Sequence, residues 1–219
     1  MLAIDPLHSL IALAPLAFYA CAMAYCNLLR RPVMLTGARD SALLGVAVSG
    51  LVAAGPMELF MPEAAAMRFH SYIWAMLAVL YLLSLTLVVL LMRPRLVVYN
   101  IDAEKIRPLL TETATQLDPD SRWVGDCLTL PHCGVQLYVE TSIWLRNAQL
   151  VATGPRQDFA GWRRLELELS DTLRETRRTR NPHGYLLLAT SLSLAAAALV
   201  SATYDNELMA RLVRDLFRE

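Results

Sequence analysis

The stretch that decides the fold class runs from Ser71 to Met92 and reads SYIWAMLAVLYLLSLTLVVLLM. It contains no charged residue, and almost every side chain in it is apolar. Because a helix rises about 1.5 Å per residue, about 20 such residues cross the roughly 30 Å hydrocarbon core of a bilayer. The stretch therefore predicts a transmembrane helix, and with it an integral membrane protein.

Three further apolar runs are long enough to cross a bilayer. The chain of 219 residues is 56% hydrophobic and also 18% charged, and these figures agree if apolar runs alternate with a polar domain. The four predicted transmembrane helices span about 7–29, 41–61, 72–92 and 185–203. We therefore predict a transmembrane region at 1–92, a polar α+β domain at 93–183, and a last unit at 184–219 that holds the fourth transmembrane helix and an amphipathic C-terminal helix.

The polar domain has its own periodicity. Asp102 is a favourable N-cap for a helix that reaches Leu117, and a second helix carries Trp162, Leu165, Leu169 and Leu173 on one face. Leu165, Leu167 and Leu169 also alternate with acidic residues, so a strand is the rival interpretation there. Extended segments are predicted at 96–99, 123–130, 135–139 and 149–153. The order β-α-β-β-β-α favours an antiparallel sheet with its helices on one face.

Arginine placement predicts the orientation of the helices. The first loop and both ends of the polar domain are rich in arginine, whereas the second loop contains Arg68 alone. Because positively charged loops stay in the cytoplasm, we expect residues 93–183 in the cytoplasm and both termini outside a plasma membrane, such as a bacterial inner membrane. Three arginines in the C-terminal tail run against this rule, but the first loops usually dominate orientation.

Cys127, His132 and Cys133 are the candidate metal ligands, because three soft ligands fall close together in the chain. Neighbouring residues of an extended chain point in opposite directions, so His132 and Cys133 rarely share one ion. There is also no C-x-x-C pair. The sequence thus favours two small buried cysteines and a turn histidine, and we predict neither a metal nor a cofactor.

A polar group flanks the end of the second predicted helix. Glu58 lies there among apolar residues, and Glu63, Arg68 and His70 are predicted on the same outer side of the membrane. A carboxylate in the apolar zone is costly unless paired, and such residues are often functional. Near the boundary the cost is small, however, which favours an interfacial side chain with its charged end in water.

Small residues recur every four positions in two of the predicted helices. This spacing brings helix backbones close together and indicates packing within a bundle or between two copies of the chain. The members in the second helix are Gly45, Ser49 and Ala53, and those in the fourth are Ala189, Ser193, Ala197 and Ser201.

The sequence favours a non-enzymatic function. It contains no phosphate-binding glycine loop, no G-x-S-x-G and no H-E-x-x-H, and its formal net charge of +0 gives no electrostatic case for nucleic acid. We expect a membrane protein whose cytoplasmic domain binds a partner membrane protein or assembles with copies of itself, surrounded by the lipid bilayer. The alternative is a membrane-embedded enzyme or carrier that uses the group around Glu58.

The orientation predicts the outcome of reporter fusions. A reporter placed after Arg95 or at Arg180 should score cytoplasmic, and one placed between Pro62 and Phe69 should score external. Paired enzymatic reporters, each active on one side of a membrane only, provide the measurement. An external signal from the fusions at Arg95 and Arg180 would overturn the orientation.

Overall fold

A computed structural model describes residues 6–57, 72–142, 146–155, 157–175 and 181–204, and it shows a mostly helical chain with one antiparallel sheet. The helices are α1 Pro6–Leu28, α2 Gly37–Val52, α3 Tyr72–Leu91, α4 Ala103–Leu117, α5 Phe159–Glu175 and α6 His183–Tyr204. The strands are β1 Val33–Thr36, β2 Arg95–Tyr99, β3 Arg122–Val124, β4 Cys127–Leu130, β5 Val135–Ser142 and β6 Asn147–Ala152. The predicted amphipathic C-terminal helix lies outside the described residues.

The chain divides into two compact units. One, the helical unit, consists of Met1–Met23, Ser41–Leu90 and Leu186–Glu219. The other, the α+β unit, consists of Ala24–Asp40 and Leu91–Tyr185. The α+β unit thus takes in the first loop of the chain as well as the segment predicted from 93 to 183.

Among the described residues, four helices are long and apolar enough to span a membrane, judged by length and composition. They cover His8–Leu28, Gly37–Met57, Tyr72–Leu91 and His183–Ser201. The second begins at Gly37, four residues before the predicted start, and Thr36 Oγ1 accepts the backbone N–H of Arg39 at 3.4 Å in its first turn. Its last turn, Ala53–Met57, is a π-helix that contains Pro56, which cannot donate a backbone hydrogen bond.

Small residues hold the apolar helices of the helical unit in contact. A side chain at Gly50 of α2 would overlap the carbonyl of Ile11 in α1, and one at Gly45 would overlap Leu85 in α3. Tyr81 of α3 donates its hydroxyl to the Gly45 carbonyl at 2.7 Å. In α6, Ser191 donates to the Ala17 carbonyl at 2.9 Å. These contacts place the helices in the order α3, α2, α1, α6.

The sheet of the α+β unit has the strand order β1-β2-β6-β5-β4-β3, and all its neighbours are antiparallel. Helices α4 and α5 pack on one of its faces, as the sequence predicted, and α5 is a helix rather than a strand. The core between the helices and the sheet consists of fully or almost fully buried apolar side chains, among them Ile106, Leu110, Leu128, Leu137, Leu150, Leu165 and Leu169.

Two parts of the predicted strand order are wrong. The segment predicted as one strand from Trp123 to Leu130 is a hairpin of β3 and β4, and the chain reverses at Gly125, whose φ of 64° suits glycine. No strand was predicted in the first loop. It forms β1, which pairs with β2 from Val33 opposite Tyr99 to Thr36 opposite Leu96.

Asp40 fastens β1 and the start of α2 to β2. Its carboxylate accepts a hydrogen bond from Arg95 at 3.3 Å and another from the hydroxyl of Tyr99. The Asp40 and Arg95 side chains are only 17% and 25% exposed, so water screens this ion pair weakly. The close packing of Gly37 against the Arg95 side chain leaves no room for a larger residue there.

Buried asparagines join the end of α1 to the start of α6 within the α+β unit. Asn181 donates from its side chain to Asn27 Oδ1 at 2.9 Å, and its own Oδ1 accepts the backbone N–H of His183 at 3.1 Å. It therefore acts as the N-cap of α6, with Pro182 next to it. Asn100 donates to the Leu29 carbonyl at 2.7 Å, which satisfies an acceptor just after α1.

Removing the Asp40 carboxylate should destabilise the α+β unit. Asp40→Ala leaves the largely buried guanidinium of Arg95 without this acceptor, and such a loss costs about 1–3 kcal/mol of unfolding free energy. Asp171→Ala is the matched control, because Asp171 is 71% exposed in its pair with Arg174 and should cost less than about 1 kcal/mol. Denaturant unfolding of the full chain in detergent, followed by near-UV circular dichroism, measures both; equal losses would contradict the role given to Asp40.

Candidate functional site

The three predicted metal-ligand candidates do not come together. Cys133 is buried in the core under α4 and α5. Cys127 precedes the buried Leu128 in β4, and it therefore lies on the opposite face of the sheet. His132 is in the exposed turn between β4 and β5. Burial raises the pKa of the Cys133 thiol, which opposes formation of the thiolate that a metal requires.

Among the described residues, one group of potential metal ligands lies close together. It consists of Asp118, Asp120 and His132, whose ligand atoms are within 4.8 Å of one another. Asp118 is fully buried at the end of α4, and its carboxylate accepts the backbone N–H groups of His132 at 2.8 Å and Asp120 at 3.1 Å. His132 Nε2 lies 2.7 Å from Asp120 Oδ2, and this hydrogen bond, more than the nearby charges, raises the pKa of His132. The arrangement fastens the β4–β5 turn to the end of α4.

A groove open to solvent lies where the start of α4 crosses the end of β5. We call it the Trp123 groove; its volume is about 280 Å³. Its lining residues are Ala103, Ile106, Arg107, Trp123, Asp126, Tyr138, Val139, Glu140 and Thr141. The groove therefore combines one apolar wall with charged groups of both signs.

Arg107 and Trp123 form a rigid wall of the groove. The guanidinium carbon lies 4.6 Å from the centroid of the Trp123 ring, a cation–π distance. Arg107 also donates to the Gly125 carbonyl at 2.8 Å and pairs with Asp126 at 3.4 Å. The indole N–H of Trp123 donates to Thr111 at 2.9 Å. These contacts join the two side chains to each other, to the turn between β3 and β4, and to α4.

The floor of the groove is an open edge of β5. Strand β4 begins at Cys127, opposite Tyr138, and Val139 donates its backbone N–H to the backbone carbonyl of Asp126 at 3.1 Å. Along a strand, alternate residues direct their backbone groups to the same side, so Thr141 faces the same edge as Val139. In the described part of the chain no strand pairs with β5 on this side beyond Val139, whereas β6 pairs with the other side as far as Ser142.

Sequence reasoning identified β5 but missed the groove. The alternation from Val135 to Val139 predicts a half-buried strand and says nothing about where its neighbour ends. Arg107 and Trp123 belong to elements distant in the chain, and no periodic pattern links them. Gly125 was the sequence signal that could have indicated the groove. A turn there divides the extended segment into β3 and β4, which leaves β4 shorter than β5.

The predicted outer group of Glu58, Glu63, Arg68 and His70 lies outside the described residues. The predicted small-residue stripes are described, and they differ in surroundings. In α2, Gly45 contacts α3 and Ser49 is partly buried, as is Ala53 in the π-helical turn that follows. In α6, Ala189, Ser193 and Ala197 are exposed and Ser201 is partly buried, whereas the buried small residues are Gly184, Ser191 and Ala198.

No protein-family model, no curated protein and no solved structure matches this chain.

Neighbouring alanines in α6 should respond differently to the same enlargement. Ala198 is 4% exposed, so Ala198→Leu overpacks a helix contact and should lower the unfolding free energy by about 1–3 kcal/mol. Ala197 is exposed, so Ala197→Leu should leave that free energy unchanged. If the exposed stripe meets a second copy, Ala197→Leu should also shift dimer toward monomer.

Thermal melting and crosslinking of both variants in detergent give the two readouts. The substitutions add the same volume at adjacent positions, so each variant is the control of the other. A larger loss of stability from Ala197→Leu than from Ala198→Leu would contradict the contacts of α6.

Proposed function

We propose that this is a non-enzymatic membrane protein whose α+β unit binds an extended segment of another polypeptide in the Trp123 groove. The observation that carries the proposal is the open edge of β5 at Thr141, just beyond the hydrogen bond from Val139 to Asp126, on the floor of a groove with an Arg–Trp wall. An extended peptide can add a strand to such an edge, because the exposed backbone groups hydrogen-bond to it as they would to a neighbouring strand.

The chemistry of the walls supports binding of a peptide. Trp and Arg are enriched among the residues that contribute most to protein interfaces, and a side chain that is already fixed loses little entropy on binding. Arg107 and Asp126 offer charges of both signs at the rim, which favours a partner with charged side chains flanking a short apolar stretch. Open strand edges invite aggregation, because other extended chains can pair with them. Charged side chains beside this edge limit such pairing, which supports binding of a specific partner.

The proposed location follows from the helices and the arginines. In the part of the chain that the structure describes, four helices have the length and composition to span a membrane. With the positive loops inside, the α+β unit lies in the cytoplasm and both termini lie outside, in a plasma membrane such as a bacterial inner membrane. The bound segment would then belong to a cytoplasmic protein, to the cytoplasmic part of another membrane protein, or to a second copy of this chain.

Photo-crosslinking in cells tests the proposal on the full chain. A photoreactive amino acid at Asp126, on the groove rim, should give one discrete adduct with another polypeptide. The same probe at Phe159 should give none, because Phe159 is 75% exposed but lies at the start of α5, near the other end of β5. The mass of the adduct identifies either a second copy of the chain or a different protein.

The substitution Thr141→Pro makes the test specific for strand addition. Proline removes the backbone N–H that faces the open edge, while the pairing of Glu140 and Ser142 with β6 remains. The adduct at Asp126 should fall at least tenfold, with thermal stability within a few degrees of the parent chain. An adduct that survives Thr141→Pro, or none at Asp126 in the parent chain, would contradict the proposal.

A further inference from the structure

A second groove lies where the first and last apolar helices leave their candidate membrane spans. We name it the tyrosine groove after its lining residues, Tyr25, Leu28, Leu29 and Tyr185, and its volume is about 330 Å³. That volume is at the lower end of the range for small-ligand pockets. All four residues belong to the α+β unit, so the groove does not depend on the helical unit.

The walls of the tyrosine groove are fixed by the contacts around it. Tyr25, Leu28 and Leu29 are spaced so that they share one side of the end of α1. The hydrogen bonds between Asn27 and Asn181 join this end to the start of α6. A side chain at Gly184 would come within 2.9 Å of Leu28, so glycine there lets the two segments meet. Tyr25 and Tyr185 stay 66% and 52% exposed.

The position of the groove matches the boundary of a bilayer. The candidate spans end at Leu28 in α1 and begin at His183 in α6. Tyrosines are enriched at this level of membrane proteins, because the ring is apolar and the hydroxyl is polar. Leu28 and Leu29 are suited to a hydrocarbon chain, while the tyrosine hydroxyls can hydrogen-bond to a headgroup.

Positive charge lies beside the apolar walls. Arg30 and Arg31 follow Leu29 directly, and both are exposed. Within the described part of the chain neither arginine has a carboxylate partner, whereas Arg95 and Arg146 have one each. Two uncompensated guanidinium groups at the end of a membrane span are complementary to the phosphate of a lipid headgroup.

We infer that the tyrosine groove and the adjacent Arg30 and Arg31 form a binding site for one anionic phospholipid. One acyl chain lies against Leu28, Leu29 and the tyrosine rings, and the headgroup phosphate meets the two arginines. A zwitterionic lipid fits the same walls, but its own positive group lies close to the arginines and weakens the attraction. The site therefore selects among lipids by headgroup charge.

Native mass spectrometry of the full, delipidated chain tests the site with two probes of equal chain length, phosphatidylglycerol and phosphatidylcholine. Each arginine near an anionic lipid contributes about 1 kcal/mol, which is about fivefold in affinity. Arg30→Gln with Arg31→Gln should therefore reduce the affinity for phosphatidylglycerol about 25-fold and leave that for phosphatidylcholine nearly unchanged. Tyr185→Ala should weaken both lipids, because it removes an apolar wall.

Arg122→Gln with Arg164→Gln is the matched control. It removes the same charge from two exposed arginines on β3 and α5, away from the tyrosine groove, and should change neither affinity more than about twofold. Thermal melting checks that every variant is folded. Equal affinity of the parent chain for the two lipids, or an equal loss in the control variant, would overturn the inference.

Discussion

Pairing of β1 with β2 is the interaction on which the α+β unit depends. Strand β2 contains Val97 and Val98, which are almost completely buried, so its backbone groups need partners on both sides. Strand β6 supplies one side and β1 supplies the other. Strand β1 comes from the loop between α1 and α2, whereas β2 follows α3. The sheet is therefore complete only when these two segments have paired. The ion pair of Asp40 with Arg95 stabilises this junction at the end of β1.

This dependence explains which parts of the fold the sequence could predict. The apolar helices could be predicted because the length of an apolar run alone identifies them, as in the run from Ser71 to Met92. Helices α4 and α5 could be predicted from the helical spacing of their apolar residues, such as Ile106 and Leu110 in α4 and Leu165 and Leu169 in α5. Strand β1 has four residues, all partly buried, and no alternation. Its existence depends on the open edge of β2, which lies far along the chain and leaves no local signal.

The Trp123 groove was beyond prediction for a related reason. It exists because β4 has four residues and β5 has eight, so β5 extends past its neighbour. The boundaries of helices and strands are the least reliable result of sequence reasoning. The Trp123 groove exists because of such a boundary, the residue at which β4 begins. Predicting β3 and β4 as a single strand removed the hairpin that sets the difference in length. Of the polar groups that did attract attention, His132 lies in an exposed turn that Asp118 and Asp120 fasten to the end of α4.

The arginines near the apolar helices differ in whether a carboxylate is paired with their charge. The positive-inside rule requires only that positive charge be present in a loop, and it is satisfied wherever the side chain points. Arg95 is paired with Asp40 inside the α+β unit, so its charge stabilises the fold. Arg30 and Arg31 are exposed at the end of α1, beside apolar walls that two buried asparagines hold together. Burying an asparagine is costly unless its side chain is hydrogen-bonded, so the bond between Asn181 and Asn27 makes the junction of α1 and α6 specific. A junction fixed in this way holds the apolar walls of the tyrosine groove in one arrangement, so the proposed lipid would meet walls that are already formed.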